Sequence, residues 1–153
     1  MATDEAVFDV PPDAVFAGLS DPGASASFVV GARRVRHFDP SWPDVGSALH
    51  HSLGGGPLVL RYRTEVVEVE PGRRLVLRAQ VRPFGVNHVT FVLTPVDGGT
   101  RVRVEEHPVE GPAAALWKPV SEAMMSLRNR ELLRRLRVVT ARRLQRQAEV
   151  GAR

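Results

Sequence analysis

Glu106 is the residue whose position most strongly suggests chemistry. It follows Val102 and Val104 at a spacing of two residues, so in a β-strand its carboxylate shares a face with two apolar side chains. A carboxylate on an apolar face must be paired, hydrogen-bonded or protonated. Glu106 is therefore a candidate general acid or base. The alternative, which we favour, is a structural ion pair with Arg128, a helix cap or a position at the rim of the sheet.

His51 is the second candidate catalytic residue. Strand alternation places it on the face of Leu49, while the neighbouring His50 points to the opposite face. His51 could orient a ligand carbonyl, or it could work with Glu106 to enolise or dehydrate a carbonyl substrate. The alternative, which we favour for His51 alone, is a buried histidine hydrogen-bonded to the backbone. We predict no metal site, because His50 and His51 diverge and no third ligand follows at a useful spacing.

Further residues are candidates for binding a ligand because the predicted elements point them to one interior. They are Trp42, Leu49, Leu60, Tyr62, Leu77, Asn87, Phe91, Val104, Met124, Arg128 and Asn129. Tyr62 could donate its hydroxyl to a ligand and Trp42 could form a lid, but each could also pack as ordinary core. For Met124, and for the nearby Met125 and Trp117, the core interpretation is the one we favour.

Several chemistries are excluded by residues that the sequence lacks. There is no cysteine, hence no disulfide, thiolate nucleophile or cysteine-based zinc site. The Gly54-Gly55-Gly56 run is not followed by the Lys-Ser/Thr pair of a phosphate-binding loop, and Pro57 removes a backbone donor. The Gly-x-Ser-x-Gly elbow of serine hydrolases is absent as well. We predict no cofactor.

Alternating apolar residues bounded by turn residues predict an antiparallel sheet of about seven strands. The predicted strands are Glu5–Val10, Val29–His37, Ser47–Leu53, Leu58–Val69, Leu75–Val81, Val86–Pro95 and Thr100–Val109. Short connections, such as the hairpin sequence Asp97-Gly98-Gly99, imply antiparallel pairing. In the fourth strand, Val67 and Val69 break the alternation set by Tyr62 and Thr64, which requires a bulge or a switch of face.

Two short helices after the first strand and one long C-terminal helix complete the prediction. Pro11-Pro12-Asp13 opens the first short helix, and Ala24–Phe28 forms the second. From Pro119 to about Ala148, apolar residues recur at helical spacing in two stripes. A one-sided sheet needs its apolar face covered, and only this helix is long enough. We therefore predict an α+β fold in which a curved antiparallel sheet wraps around the C-terminal helix.

Composition and charge narrow the class of protein. The 153 residues fit one domain over 1–153, with an ordered core over about 5–148, and 43% apolar and 25% charged residues are ordinary for a soluble protein. No stretch could span a bilayer and no signal peptide is evident, so we expect a cytoplasmic protein. Nine arginines and three glutamates follow Pro119. They fall on several sides of the predicted helix, so nucleic acid is not the expected partner.

A series of short motifs extends from about Glu5 to Leu144. In order, they are Val10-Pro11-Pro12-Asp13-Ala14-Val15-Phe16 with Leu19-Ser20-Asp21-Pro22, Trp42-Pro43 with Gly46, His51, Gly56-Pro57, Glu70-Pro71 with Arg74-Leu75, Gly99-Thr100-Arg101-Val102, Glu106, Gly111-Pro112, and Arg128-Asn129 with Leu133 and Leu136. The series resembles the START/Bet v 1-like (SRPBCC) superfamily, and within it bacterial polyketide cyclase/dehydrase and lipid-transport type proteins. The resemblance implies a helix-grip fold with a deep, mostly apolar cavity between sheet and helix.

Three functions remain open, in this order of preference. The first is binding or carriage of a hydrophobic small molecule, such as a lipid or polyketide, which the resemblance implies. The second is a polyketide aromatase/cyclase-type enzyme that uses Glu106 and His51. The third is an interaction module in which the arginine-rich helix contacts nucleic acid or an acidic protein. A monomer and a homodimer are both compatible with the sequence, and fold alone does not decide between the functions.

Overall fold

The computed structural model describes residues 2–29, 32–55, 57–81, 83, 85–112 and 118–152. The described strands are β1 (Ala2–Phe8), β2 (Ala32–Phe38), β3 (Ala48–Gly55), β4 (Leu58–Glu70), β5 (Arg74–Val81), β6 (Gly85–Val96) and β7 (Gly99–Glu110). The described helices are α1 (Pro12–Leu19), α2 (Ser25–Phe28) and α3 (Lys118–Gly151). The predicted α+β fold is confirmed. Two residues of the sequence analysis, Gly56 and Trp117, lie outside the described residues.

The seven strands form one antiparallel sheet in the order β1-β7-β6-β5-β4-β3-β2. Consecutive strands from β2 to β7 are neighbours, as the short connections predicted. β1 pairs with β7 at one edge, so the segment that holds α1 and α2 must carry the chain across the sheet to β2 at the other edge. The described helices include none that is long and apolar enough to cross a membrane.

The turn between β6 and β7 shows why glycine is required at two neighbouring positions. Gly98 has a φ of +77°, a backbone conformation that side chains other than glycine rarely adopt. At Gly99 a Cβ atom would lie only 1.9 Å from the carbonyl oxygen of Phe8. The missing side chain therefore lets the end of β1 approach the start of β7, where Phe8 pairs with Thr100.

A bulge in β4 resolves the irregular alternation in that strand. Val66 pairs with Leu77 and Glu68 pairs with Val76, so Val67 is the extra residue opposite β5. Val67 is 37% exposed, whereas Val69 packs against the hydrophobic core. The bulge thus returns Val69 to the inner face after one residue is skipped.

The core lies between the inner face of the sheet and α3. Phe8, Leu75 and Val102 from the sheet meet Leu133 and Leu136 from the helix, and all are almost fully buried. Of the two apolar stripes predicted for α3, the one that includes Leu132 and Leu136 is buried. The other is not covered by the described residues, because Met124 and Leu127 are 66% and 67% exposed.

Candidate functional site

A cavity of about 80 Å³ lies between the inner face of the sheet and the helices. Strand register brings its floor together in three rows that cross the sheet. The rows are His51–Tyr62–Val81, Leu49–Thr64–Ala79–Asn87 and Leu77–Val89–Glu106, with Phe91 beside the third. The opposite wall is formed by Leu19, Ser25, Phe28, Val29, Trp42, Arg128 and Leu132.

The position of the cavity follows from the way in which α3 packs. The backbone of this helix packs mainly against β1, α1 and α2, and to a smaller extent against β7. The cavity floor comes chiefly from β3, β4, β5 and β6, which lie beyond that packed edge of the sheet. Most of the lining side chains are aliphatic or aromatic, and the polar ones gather in two places, apart from Thr64 in the middle row of the floor.

One polar group, which we call the Glu106 end, consists of Glu106, Asn87 and Arg128. Asn87 Nδ2 donates a hydrogen bond to Glu106 Oε1 at 2.9 Å, and Arg128 Nη2 donates to the same oxygen. The Glu106 side chain is only 2% exposed, whereas that of Arg128 is 44% exposed. Burial opposes the charge of Arg128, but the neighbouring carboxylate favours it, and the pKa of Arg128 is raised. The ion pair proposed for Glu106 from the sequence is therefore present.

The other polar group, which we call the His51 end, consists of His51, Ser25 and Tyr62. Ser25 Oγ lies 2.9 Å from His51 Nε2 and donates to the carbonyl oxygen of Pro22 at 3.0 Å. Because that hydroxyl has one proton, His51 Nε2 donates to Ser25 Oγ and Nδ1 is left as an acceptor. His51 Nδ1 is buried and has no hydrogen-bond partner among the described residues. A ligand hydroxyl or amide could donate to it.

Both rings at the His51 end are neutral at pH 7. Burial, helped by the nearby charges of His50 and Arg36, lowers the pKa of His51 from 6.5 to about 4. Burial also raises the pKa of the Tyr62 hydroxyl. The two rings stack with centroids 5.2 Å apart and an angle of 28° between their planes. This end of the cavity therefore offers hydrogen bonding without a net charge.

Trp42 is anchored rather than free. Its indole Nε1 donates to the carbonyl oxygen of Ser20, at the end of α1, at 2.9 Å. The ring is partly buried against the core and lines the cavity. This contact connects the loop before β3 to α1, so a movement of Trp42 as a lid would have to break that hydrogen bond.

Nine of the candidate residues line the cavity: Trp42, Leu49, His51, Tyr62, Leu77, Asn87, Phe91, Glu106 and Arg128. Leu60 is not among the described lining residues, because the pairing of β4 with β5 begins at Tyr62 and Leu60 precedes it. Val104 is fully buried in the core between Asp4 and Phe91. Asn129 is also buried outside the cavity lining, and Met124 faces outward.

Glu106 and His51 are brought to the same cavity but not to each other. Glu106 lies on β7 and His51 on β3, and β6, β5 and β4 lie between them. Each has its own hydrogen-bond partners. The two groups would therefore act on different parts of a substrate rather than on one shared proton.

Ser25 is the polar residue of the site that the sequence analysis missed. It lies in the four-residue helix α2 and is 2% exposed. The available sequence signal was the helix start at Asp21-Pro22, since Ser25 bonds back to Pro22 in the pattern of a serine at a helix start. Its contact with His51 joins residues 26 positions apart, which no local pattern reveals.

The arginines of α3 make contacts within the chain. Arg130 bonds to Asp4, and Arg143 bonds to Asp21. Arg134 and Arg135 both bond to Glu131, one turn before them. Such pairing leaves fewer free cations for nucleic acid, so it weakens the third functional hypothesis. In the part of the chain that the structure describes, no group of three or more His, Asp and Glu residues is placed to hold a metal ion.

Comparisons with known proteins agree with this architecture. A family model described as polyketide cyclase / dehydrase and lipid transport matches residues 2–140. Protein CV1439 from Chromobacterium violaceum is similar in structure, with a TM-score of 0.74, 18% identity and coverage of 90% of this chain and 94% of that one. Protein SA2116 from Staphylococcus aureus has a TM-score of 0.75 at 9% identity, covering 94% of each chain.

A third similar structure is that of a larger protein. DynU16, from the dynemicin biosynthetic locus, has a TM-score of 0.66 and 20% identity, and the match covers 89% of this chain and 45% of DynU16. At these identities the structural matches show the fold alone. No curated protein matches the chain.

Proposed function

Because the chain belongs to the polyketide cyclase/dehydrase and lipid transport family, we propose that it binds or carries a hydrophobic small molecule in the cavity between sheet and α3. The observation that carries the proposal is the composition of the cavity wall. Leu49, Leu77 and Phe91 of the sheet face Phe28 and Leu132 of the helices across the space. Ligand sites in proteins are typically apolar with a few polar groups that orient the ligand.

The polar groups suggest what kind of molecule fits. The His51 end offers an uncharged acceptor, His51 Nδ1, beside the neutral hydroxyl of Tyr62. The Glu106 end offers the guanidinium of Arg128, which has further N–H donors besides the one that bonds to Glu106. A mostly apolar ligand with a hydroxyl near one end and a carbonyl or phenol oxygen near the other would satisfy both.

The volume of the cavity requires that it open for such a ligand. At about 80 Å³, it is well below the range of about 300–1,000 Å³ typical of ligand sites. Arg128 is the wall residue best placed to move, because its side chain is already 44% exposed. We therefore propose that binding displaces the α3 side of the wall while the strand floor stays in register.

A cavity-filling variant tests this proposal. Ala79 is 4% exposed and lies in the middle row of the cavity floor, so Ala79→Leu should occupy the space from inside. Ala123→Leu, on an exposed face of α3, is the matched control because it makes the same chemical change away from the cavity. Freshly purified proteins are extracted with denaturing solvent for mass spectrometry, and each is titrated with anilinonaphthalene sulfonate as a fluorescent apolar probe.

We expect the wild type and A123L to retain a bound compound or bind the probe, and A79L to bind the probe about tenfold more weakly or not at all. Circular dichroism checks that A79L is folded, and Val81→Phe provides a second way to fill the same floor. Equal probe binding by all the proteins, with no extracted compound, would contradict the proposal.

A second function has one observation in its favour. Glu106 and His51 are ionisable groups that line the same cavity, so the family's cyclase-type chemistry on a polyketide-like substrate is an alternative. His51, neutral at pH 7, would act as a base on one part of the substrate, and Glu106 with Arg128 would act at another. On a substrate shown to turn over, Glu106→Gln and His51→Ala should each lower kcat. Unchanged turnover by both variants would exclude this mechanism.

A further inference from the structure

The outer face of the sheet carries a second depression, which we call the outer pocket. Its volume is about 370 Å³, and it is lined by Arg36, His50, Arg61, Tyr62, Arg63 and Gln80. His50 faces it because successive side chains of β3 point to opposite faces, so His51 faces the inner cavity. The outer pocket and the ligand cavity therefore lie on opposite faces of the sheet, and Tyr62 lines both.

Strand register explains how these donors converge. His50 on β3 pairs with Arg63 on β4, which pairs with Gln80 on β5, so the three form one row on the outer face. Arg61 precedes Arg63 by two residues and shares its face. Arg36 joins them from β2 through a bulge, since Val35 pairs with His51 and His37 with His50. A bulge can redirect a side chain in this way.

The charge in the outer pocket is not balanced by its own lining. Arg36, Arg61 and Arg63 each carry a permanent positive charge, and no Asp or Glu is among the described residues that line the pocket. Two carboxylates lie nearby: Glu65 bonds to Arg63 Nη1 at 2.6 Å, and Asp39 acts electrostatically on His50. Two carboxylates beside three guanidinium groups still leave an excess of positive charge, which a bound anion would neutralise.

We propose that the outer pocket binds the phosphate group of a soluble phosphate monoester. The forked N–H donors of arginine match the oxygens of phosphate in pairs, and a doubly charged tetrahedral anion can engage more than one guanidinium. His50 and Gln80 add neutral hydrogen-bonding groups on the same row. The volume exceeds what a bare phosphate ion fills, which leaves room for the organic part of an ester.

The test is an NMR titration of the ¹⁵N-labelled full chain with phenyl phosphate, at an ionic strength of about 0.15 M so that weak long-range attraction is screened. Benzoate, which has the same ring with a carboxylate, and inorganic phosphate are the comparison ligands. We expect chemical-shift changes to centre on the outer-face residues of β2 to β5, with phenyl phosphate binding more tightly than either comparison ligand.

Three variants test whether the effect belongs to the outer pocket. Arg61→Gln should weaken phenyl phosphate binding about tenfold, because one charge-assisted hydrogen bond is lost. Arg101→Gln, an exposed outer-face residue of β7, makes the same change in charge away from the pocket and should bind as the wild type does. Gln80→Leu alters the pocket without a change in charge and should weaken binding to a smaller degree.

Several results would overturn the proposal. They are equal weakening by R61Q and R101Q, shift changes centred on other arginines, or benzoate binding as tightly as phenyl phosphate. A membrane source of the phosphate is tested by sedimentation with phosphatidic acid vesicles. Binding to vesicles without a response to phenyl phosphate would contradict the assignment to a soluble ester.

Discussion

The two ends of the cavity are both polar, but the Glu106 end contains an ion pair, whereas the side chains of the His51 end are uncharged. At the Glu106 end, a carboxylate with a 2% exposed side chain is compensated by contacts, because Asn87 and Arg128 both bond to it. At the His51 end, the ring is equally buried but no carboxylate is among its hydrogen-bond partners in the described residues, so it gives up its proton instead. The free-energy cost of burying an ionisable group is thus offset by bonded partners at the Glu106 end and avoided by the neutral ring at the His51 end.

The difference has a consequence for ligand binding. The oxygen of Glu106 that accepts both hydrogen bonds is already used within the protein. His51 uses one ring nitrogen within the protein and leaves the other without a partner among the described residues. A buried group without a partner costs free energy until a ligand supplies one. The His51 end is therefore the better candidate for hydrogen bonding to a ligand, and the Glu106 end the better candidate for stabilising the fold.

The largest expected effect that separates the two ends is the response of stability to acid. The pKa of folded His51 is about 4, below its ordinary value of 6.5, so the unfolded chain binds this proton more readily. The contribution to the free energy of unfolding is complete above pH 6.5 and is lost as the pH falls towards 4. The loss is about 3 kcal/mol by pH 4, from 1.36 kcal/mol per unit of pKa.

Urea denaturation between pH 7 and pH 4 measures this loss. His51→Gln lacks the titrating ring, so its stability should fall by about 3 kcal/mol less than that of the wild type over this range. Ser25→Ala is the control, because it removes the Nε2 partner but keeps the histidine. Parallel curves for the wild type and H51Q would show that His51 is not held neutral by burial.

The next effect tests the charge at the Glu106 end. Arg128→Met leaves the buried carboxylate without its cation, and we expect the free energy of unfolding to fall by about 2 kcal/mol at pH 7. The loss is smaller than for a fully buried pair because Arg128 is 44% exposed and its charge is screened by water. It is measured by urea denaturation.

The matched variant at this end removes both charges. The double variant Glu106→Gln/Arg128→Met has no buried ion to stabilise, so it should recover most of the stability that R128M loses. If the double variant is as unstable as the sum of the two single variants, the pair is not coupled. The Glu106 end would then not depend on the ion pair.

A smaller loss of stability is expected when one neutral hydrogen-bonding partner is removed at each end. Asn87→Ala removes a donor to a charged oxygen and should cost about 1.5 kcal/mol, whereas Ser25→Ala removes a neutral partner of His51 and should cost about 1 kcal/mol. Thermal denaturation of both variants at pH 7 checks the order. A larger loss for S25A would reverse the assignment of the structural role to the Glu106 end.

Strand patterns predicted the floor of the cavity better than helix patterns predicted the opposite wall. In a strand, the face of each residue follows from alternation, which placed Glu106, His51 and Asn87 towards the interior before any pairing was known. Alternation does not say where a neighbouring strand ends. Leu60 therefore shares the face of Tyr62 but lies past the end of β5.

The opposite wall depends on how α3 is rotated and where it packs, and sequence periodicity does not determine either. Two apolar stripes were visible, and packing on β1, α1 and α2 selected the stripe that holds Leu132 and Leu136. Met124 lies on the other stripe and is exposed to solvent for this reason. Ser25 could not be predicted, because its role arises from a contact with His51 that only the folded chain creates.

The smallest effect concerns Asn129, which follows Arg128 but faces the packed core rather than the cavity. It is 1% exposed, and neither its amide nitrogen nor its amide oxygen has a hydrogen-bond partner among the described residues. Because an unsatisfied buried amide costs free energy and leucine is of similar size, Asn129→Leu should raise the free energy of unfolding, by less than about 1 kcal/mol. Urea denaturation at pH 7 measures it, with Asn87→Leu as the matched change at a bonded asparagine. A loss for N129L as large as that for N87L would mean that Asn129 has a polar partner in the folded protein and is not an open polar group of the core.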